Sequence, residues 1–186
     1  DWYNAAMTGY VWRHRYWLRQ ALRQSVAQWP HAQQRSTPHA QQRSTPCAAL
    51  HVRRSDVKLE TGQRAPAGFH HVSEYLLRGR AMLEALGIRR IVLLTDSADA
   101  VKEAKEVGDY EWEWLDKARY ADDSDNIQFS FPFPSGDPTL ETLQLLTELE
   151  VVKQCSMLIT DEGGNFAHLL YTSMCGRDAD SWSCPP

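Results

Sequence analysis

Two adjacent arginines, bracketed by a histidine and an acid, are the first residues here whose types and spacing suit chemistry. They lie in His51-Val52-Arg53-Arg54-Ser55-Asp56, with Lys58 and Glu60 just beyond. A guanidinium is a planar fork of donors that grips phosphate oxygens through paired hydrogen bonds. Side chains alternate along an extended strand, so His51 and Arg53 share one side and Arg54 takes the other. One arginine can then face a ligand while its neighbour braces the loop through Asp56. A solvated strand end with a surface Arg–Asp pair fits the same residues equally well. Thr95-Asp96-Ser97 is a second constellation. Asp96 can accept from a ribose or a base, and Asp96 or Ser97 can cap a following helix. Thr160-Asp161-Glu162-Gly163-Gly164-Asn165 is a third. A Gly-Gly turn entering a helix offers backbone N–H groups to phosphate. Asp161 and Glu162 would repel a diphosphate, and a plain strand-to-helix turn is the alternative.

Each constellation follows a segment that reads as a strand. Cys47–Arg53 is a short apolar run that breaks into charge, as a buried strand does where it emerges. Ile88–Thr95 is the clearest strand, Tyr110–Leu115 alternates as a third, and Ser156–Thr160 is a fourth. Helices are expected over 8–28, ended by Trp29-Pro30, then over 71–86, with Val72, Tyr75, Leu76, Leu83 and Leu86 on one face and Gly87 as C-cap. Further helices are expected over 96–107, over 140–154 with leucines at 140, 143, 146 and 149, and over 165–174. Strands alternating with helices imply a parallel sheet of the doubly wound α/β class, which binds ligands beyond the C-terminal strand ends. All three constellations fall there.

These motifs, in this order, resemble the α1,6-fucosyltransferase family. HVRRSD with Lys58, Glu60, Phe69-His70 and Tyr75 resembles its donor-binding motif. LLTDSADAVKEAKE at 93–106 with Tyr110-Glu111 resembles the second motif, and LITDEGGNFAHLLY at 158–171 the third. Trp2, Tyr10, Arg13 and Trp17-Leu18 sit like the aromatic helix upstream, so the likeness spans nearly all of 1–175. It implies a Rossmann-like domain, the nucleotide-sugar-binding half of a GT-B-type glycosyltransferase. The implied reaction moves fucose from GDP-fucose to a glycan hydroxyl with inversion and without a metal. The resemblance makes Glu60 the general base, Lys58 its partner and Arg53 the holder of the β-phosphate. Arg54 would support the site. His51, Asp56, Asp96, Ser97, Gly163, Gly164 and Asn165 would line the donor pocket. It also implies the Golgi lumen, reached through an anchor outside this stretch. The third motif departs from the family: Gly163-Gly164 replace two serines, and His168 replaces an arginine. Val57 intervenes before Lys58. The guanine-binding aspartate of the family has no counterpart at Thr147-Glu148, where Glu148 substitutes only with a register shift. Such departures also suit an inactive copy of the fold, serving as a structural or interaction module beside other protein chains.

The chain has 186 residues and 42% hydrophobic side chains, enough for one cored domain. Its longest aliphatic run, Ile91–Leu94, is far short of a membrane span. It opens with Asp1 rather than Met, which leads us to expect a fragment. Four cysteines at 47, 155, 175 and 184 lack zinc-site spacing and leave the redox compartment open. Charge is polarised. Eight arginines and no acid lie between Trp2 and Ser55, giving +7 with Asp1, whereas residues 56–186 carry −11. Such a basic region suits phosphate, an anionic surface or the chain's own acidic part. It has no lysine and no nucleic-acid motif, so nucleic acid is not an expected partner. The octet HAQQRSTP at 31–38 recurs letter for letter at 39–46 and reads as a polar surface loop. The expected organisation is a basic, aromatic segment (1–30), the duplicated loop (31–46), the donor-binding domain (47–175) and a tail (176–186).

Overall fold

The computed structural model describes residues 15–29, 46–54, 70–120, 134–161 and 165–175. Its elements are α1 (Tyr16–Ala27), β1 (Cys47–Val52), α2 (Val72–Ala85), β2 (Arg90–Thr95), α3 (Ala98–Glu106), β3 (Glu111–Glu113), α4 (Pro138–Val152), β4 (Met157–Ile159) and α5 (Asn165–Cys175). The strands form one sheet in the order β3-β2-β1-β4. Every pairing is parallel, with Ala48 opposite Ile91 on one side and Met157 on the other. This is the expected Rossmann-like α/β fold.

β1 and β2 are central and covered on both faces, so both read as near-continuous apolar runs. Alternate residues serve different layers. Ala48, Leu50, Val52, Ile91 and Leu93 pack with Val72, Tyr75, Leu83, Ala100 and Ala104 of α2 and α3. Cys47, Ala49, Val92 and Leu94 pack with Leu149 and Val152 of α4, Leu170 and Met174 of α5, and Trp29. The sheet is therefore the middle of three layers. Gly87, at φ +61°, supplies the left-handed residue that closes α2, its N–H bonded to the Glu84 carbonyl. Gly79 lets α2 approach the sheet closely: a Cβ there would lie 2.6 Å from Ile159 Cδ1.

Several boundaries differ from expectation, each for a local reason. Ser97 caps α3, its Oγ accepting from Ala100 N at 2.9 Å, and Asp96 does not. α4 starts at Pro138, two residues before the first leucine. Asp137 accepts from Thr139 N and Leu140 N, and proline fits the first helical turn. Its buried face is Thr147, Glu148, Leu149, Val151 and Val152, while Leu140 is exposed. Leu86, which caps α2, is also exposed. α1 is described from Tyr16; residues 8–14 of the expected helix, the duplicated loop from 31 to 45 and the tail from 176 lie outside the described residues.

Long-range ties complete the packing. Cys47 and Cys155 form a buried disulfide across 108 residues, Cα–Cα 4.7 Å, and Ser156 N donates to the Cys47 carbonyl. Cys175 is also disulfide-bonded. Trp29 does more than end α1. Its indole Nε1 donates to Glu113 Oε2 at 2.8 Å, beneath the sheet edge where Arg90 lies 3.4 Å from Glu113 Oε1. Ser25 of α1 accepts from Thr147 Oγ1 of α4 at 3.0 Å.

Candidate functional site

The strand order reverses between β1 and β4: β2 and β3 extend from one side of β1, and β4 joins the other. At such a switch point the loops leave in opposite directions and open a crevice beyond the carboxyl ends of the strands. Its floor is made by His51 on β1 and Thr160 after β4, with His51 Nδ1 and Thr160 Oγ1 3.0 Å apart. Phe166 of α5 packs edge-on against the imidazole, centroids 5.0 Å apart. Burial pushes the His51 pKa down to about 4. The Arg53 charge adds to the fall, Asp161 opposes it and Lys117 reinforces it. The ring is neutral near pH 7, so this floor supplies shape and one hydrogen-bonding nitrogen.

The two arginines divide as strand alternation requires. Arg53 is half-buried on the His51 side, close enough to depress that imidazole. Arg54 turns the other way and is 1% exposed. Its Nη1 and Nη2 donate to Glu103 Oε1 and Oε2 at 2.8 and 2.7 Å, and Nη2 also reaches the His70 carbonyl. The expected brace was Asp56, which lies outside the described residues; the carboxylate that holds Arg54 among the described residues is Glu103 of α3. Glu103 also accepts from Val72 N and lies 3.0 Å from His71 Nδ1. Burial alone would raise the Glu103 pKa. The bonds from Arg54 and Val72 outweigh it and hold the carboxyl below its usual range.

Asp96 and Ser97 form the neighbouring wall. Asp96 Oδ1 accepts from the Arg54 backbone N–H at 3.1 Å, tying the ends of β1 and β2 together. Tyr120 exchanges backbone bonds with the same turn, and Arg119 donates to the Thr95, Lys117 and Leu115 carbonyls. Ser97 is fully buried, its hydroxyl taken by the helix cap. Ser97 thus acts here through the helix cap.

On the β4 side Asp161 accepts from the Tyr75 hydroxyl and from Arg78 Nη1 at 3.3 Å. Burial and the bond to Asp161 push the Tyr75 pKa up. This pairing turns the Asp161 carboxylate toward α2 and offsets some of its repulsion for an anion. Glu148 of α4 is 2% exposed, with Oε2 2.7 Å from Lys117 Nζ. Its Oε1 is buried and accepts no hydrogen bond among the described residues. Burial raises its pKa against the pull of Lys117.

His51, Arg53, Arg54, Asp96 and Ser97 thus gather at the carboxyl ends of β1 and β2, and Asn165 starts α5 beside them. Asp56, Lys58, Glu60, Gly163 and Gly164 lie outside the described residues. Glu103, Lys117, Arg119 and the Tyr75–Asp161 pair were missed in the sequence. For Glu103 a signal existed: it is three residues after Ala100 and one before Ala104, at the margin of the buried face of α3. Among the described residues no cluster of three metal-ligating side chains occurs. The arrangement suits an anion set against Arg53 and Lys117, with polar groups from both sides of the switch point around it. No protein-family model matches the chain, and no curated protein matches it.

Proposed function

We propose that this chain is the nucleotide-sugar half of an α1,6-fucosyltransferase-type enzyme, transferring fucose from GDP-fucose to a glycan hydroxyl with inversion. One observation carries this proposal. Arg53 stands at the end of a central strand, beside the switch point, while its neighbour is fixed from behind by Glu103. That division puts one guanidinium into the backbone scaffold and the other on the His51 side of the strand, which supports a diphosphate-binding role for Arg53.

In the proposed reaction Glu60, with Lys58 as its partner, takes the proton of the acceptor hydroxyl. The freed oxygen pair attacks C1 of fucose, and the bond from C1 to the β-phosphate oxygen breaks. GDP leaves with that electron pair, and Arg53 stabilises the charge. The chemistry as written uses no metal. A Golgi-lumen location is supported by the Cys47–Cys155 disulfide, since such bonds persist in oxidising compartments.

A second reading has its own observation. Glu148 is already engaged by Lys117, and Asp161 adds negative charge where a diphosphate would lie. Both features suit an inactive fucosyltransferase-like module held within a larger assembly.

Calorimetric GDP titration separates the two. The enzyme reading expects binding by the parent, with Arg53→Ala weaker by roughly 10- to 150-fold, the loss expected for charge-assisted hydrogen bonds. Arg53→Lys recovers only part, because an ammonium lacks the planar fork. No binding at millimolar GDP leaves the module reading; equal binding by Arg53→Ala removes the diphosphate from Arg53.

A further inference from the structure

α1 presents a face that the donor site does not use. Leu22 is buried and Ser25 bonds α4, so one side of the helix is spent on packing. Arg15, Arg19 and Arg23 follow one another at i, i+4 and i+8 along the exposed side. At 1.5 Å per residue the three span about 12 Å. α1 contains no acidic residue, and none of the three arginines holds an ion pair among the described residues. Tyr16 borders the stripe with 66% of its surface in solvent, and Gln20 donates to its hydroxyl at 2.7 Å. Three like charges aligned with no ion pair among the described residues repel one another, and leaving a large aromatic in water is costly. Both costs fall when a polyanion with flat apolar faces lies along the helix.

The disulfides select among polyanions. Cys47–Cys155 and the bonded Cys175 point to an oxidising compartment. Nucleic acid and the anionic cytoplasmic leaflet lie on the other side of the membrane. The polyanions on the oxidising side are sulfated and carboxylated polysaccharides. Guanidinium groups match a sulfate in paired hydrogen bonds as they match a phosphate, and basic runs of this kind bind heparin-like chains. A pyranose ring also offers a C–H face on which a phenol packs. We propose that the face of α1 and its N-cap carrying Arg15, Arg19, Arg23 and Tyr16 is a docking surface for a sulfated polysaccharide.

The test uses the full chain and heparin-derived octasaccharides in calorimetry at two salt concentrations. The parent should bind, and more weakly at high salt because screening shortens the reach of each charge. Each exposed arginine should contribute a factor of about two to five. The triple variant Arg15→Ala/Arg19→Ala/Arg23→Ala should therefore lose on the order of ten- to a hundredfold in affinity. Its melting temperature should stay within a few degrees of the parent, since the three side chains are exposed. Tyr16→Ala, with all charges kept, should lose a few-fold. No binding by the parent, or equal binding by the triple variant, overturns the proposal. A DNA duplex of matched charge that binds as tightly as the octasaccharide overturns the choice of polysaccharide. So does equal binding to vesicles containing phosphatidylserine.

Discussion

At the scale of single residues, the site depends on how Arg54 is kept in place. Its guanidinium is buried and its two terminal nitrogens meet the two oxygens of Glu103. Removing the carboxylate strands a cation in the interior, which costs about 3 kcal/mol. Glu103→Ala should therefore lower the unfolding free energy by that much, read as a fall in the urea midpoint at unchanged slope, and Glu103→Gln by less. His51 sets a pH dependence of defined sign. Its folded pKa, about 4, lies below the free value of 6.5. The unfolded chain therefore takes up this proton first as the pH falls. Stability is full above pH 6.5, declines between 6.5 and 4, and levels off below as the folded ring protonates too. The loss is on the order of 3 kcal/mol. Unfolding measured from pH 7 to 4 should show a shallower decline in His51→Phe than in the parent. A parallel decline in both would show that the imidazole is not the group responsible.

The elements show what periodicity carries and what it leaves out. Ile91–Leu94, buried on both faces, is legible as a central strand because every residue in it is apolar. Gly87 marks the end of α2 because a positive φ favours glycine. The start of α4 escaped a search for leucines because the signal there is a cap, Asp137-Pro138, rather than a hydrophobic stripe. Cross-chain partners were harder still. Trp29 and Glu113 are 84 positions apart, and Arg54 and Glu103 are 49 apart. No local spacing encodes such pairs; they exist only once the sheet has assembled. Gly79 belongs to the same class. Adding a methyl there should gain helix propensity of about 1 kcal/mol yet press on Ile159 and Met157, at a cost of about 1–3 kcal/mol. Gly79→Ala should thus be neutral to destabilising alone. In an Ile159→Val background, which lacks the Cδ1 atom, the same change should become stabilising. Additive effects in this double-mutant cycle would show that the helix is not seated on Ile159.

For the whole molecule, the gathering of His51, Arg53, Arg54 and Asp96 was legible because strand-end residues in a parallel sheet must converge. Its supporting shell was not, since Glu103, Lys117 and Tyr75 come from helices and a loop whose placement needs the tertiary fold. The disulfide is the largest single constraint on that fold. Closing a loop of 108 residues removes unfolded-state freedom worth roughly 4–5 kcal/mol in the chain-entropy account. The double variant Cys47→Ala/Cys155→Ala should lose roughly 3–5 kcal/mol in urea unfolding. An unchanged midpoint would mean that the pair is not bonded in solution.

The same bond makes the stretch from Cys47 to Cys155 a covalent circuit containing β1, β2 and β3 and the whole of α2, α3 and α4. A single protease nick anywhere inside that circuit cannot release a fragment. On a denaturing gel without reductant the nicked chain should run as one band, and with dithiothreitol it should separate into two.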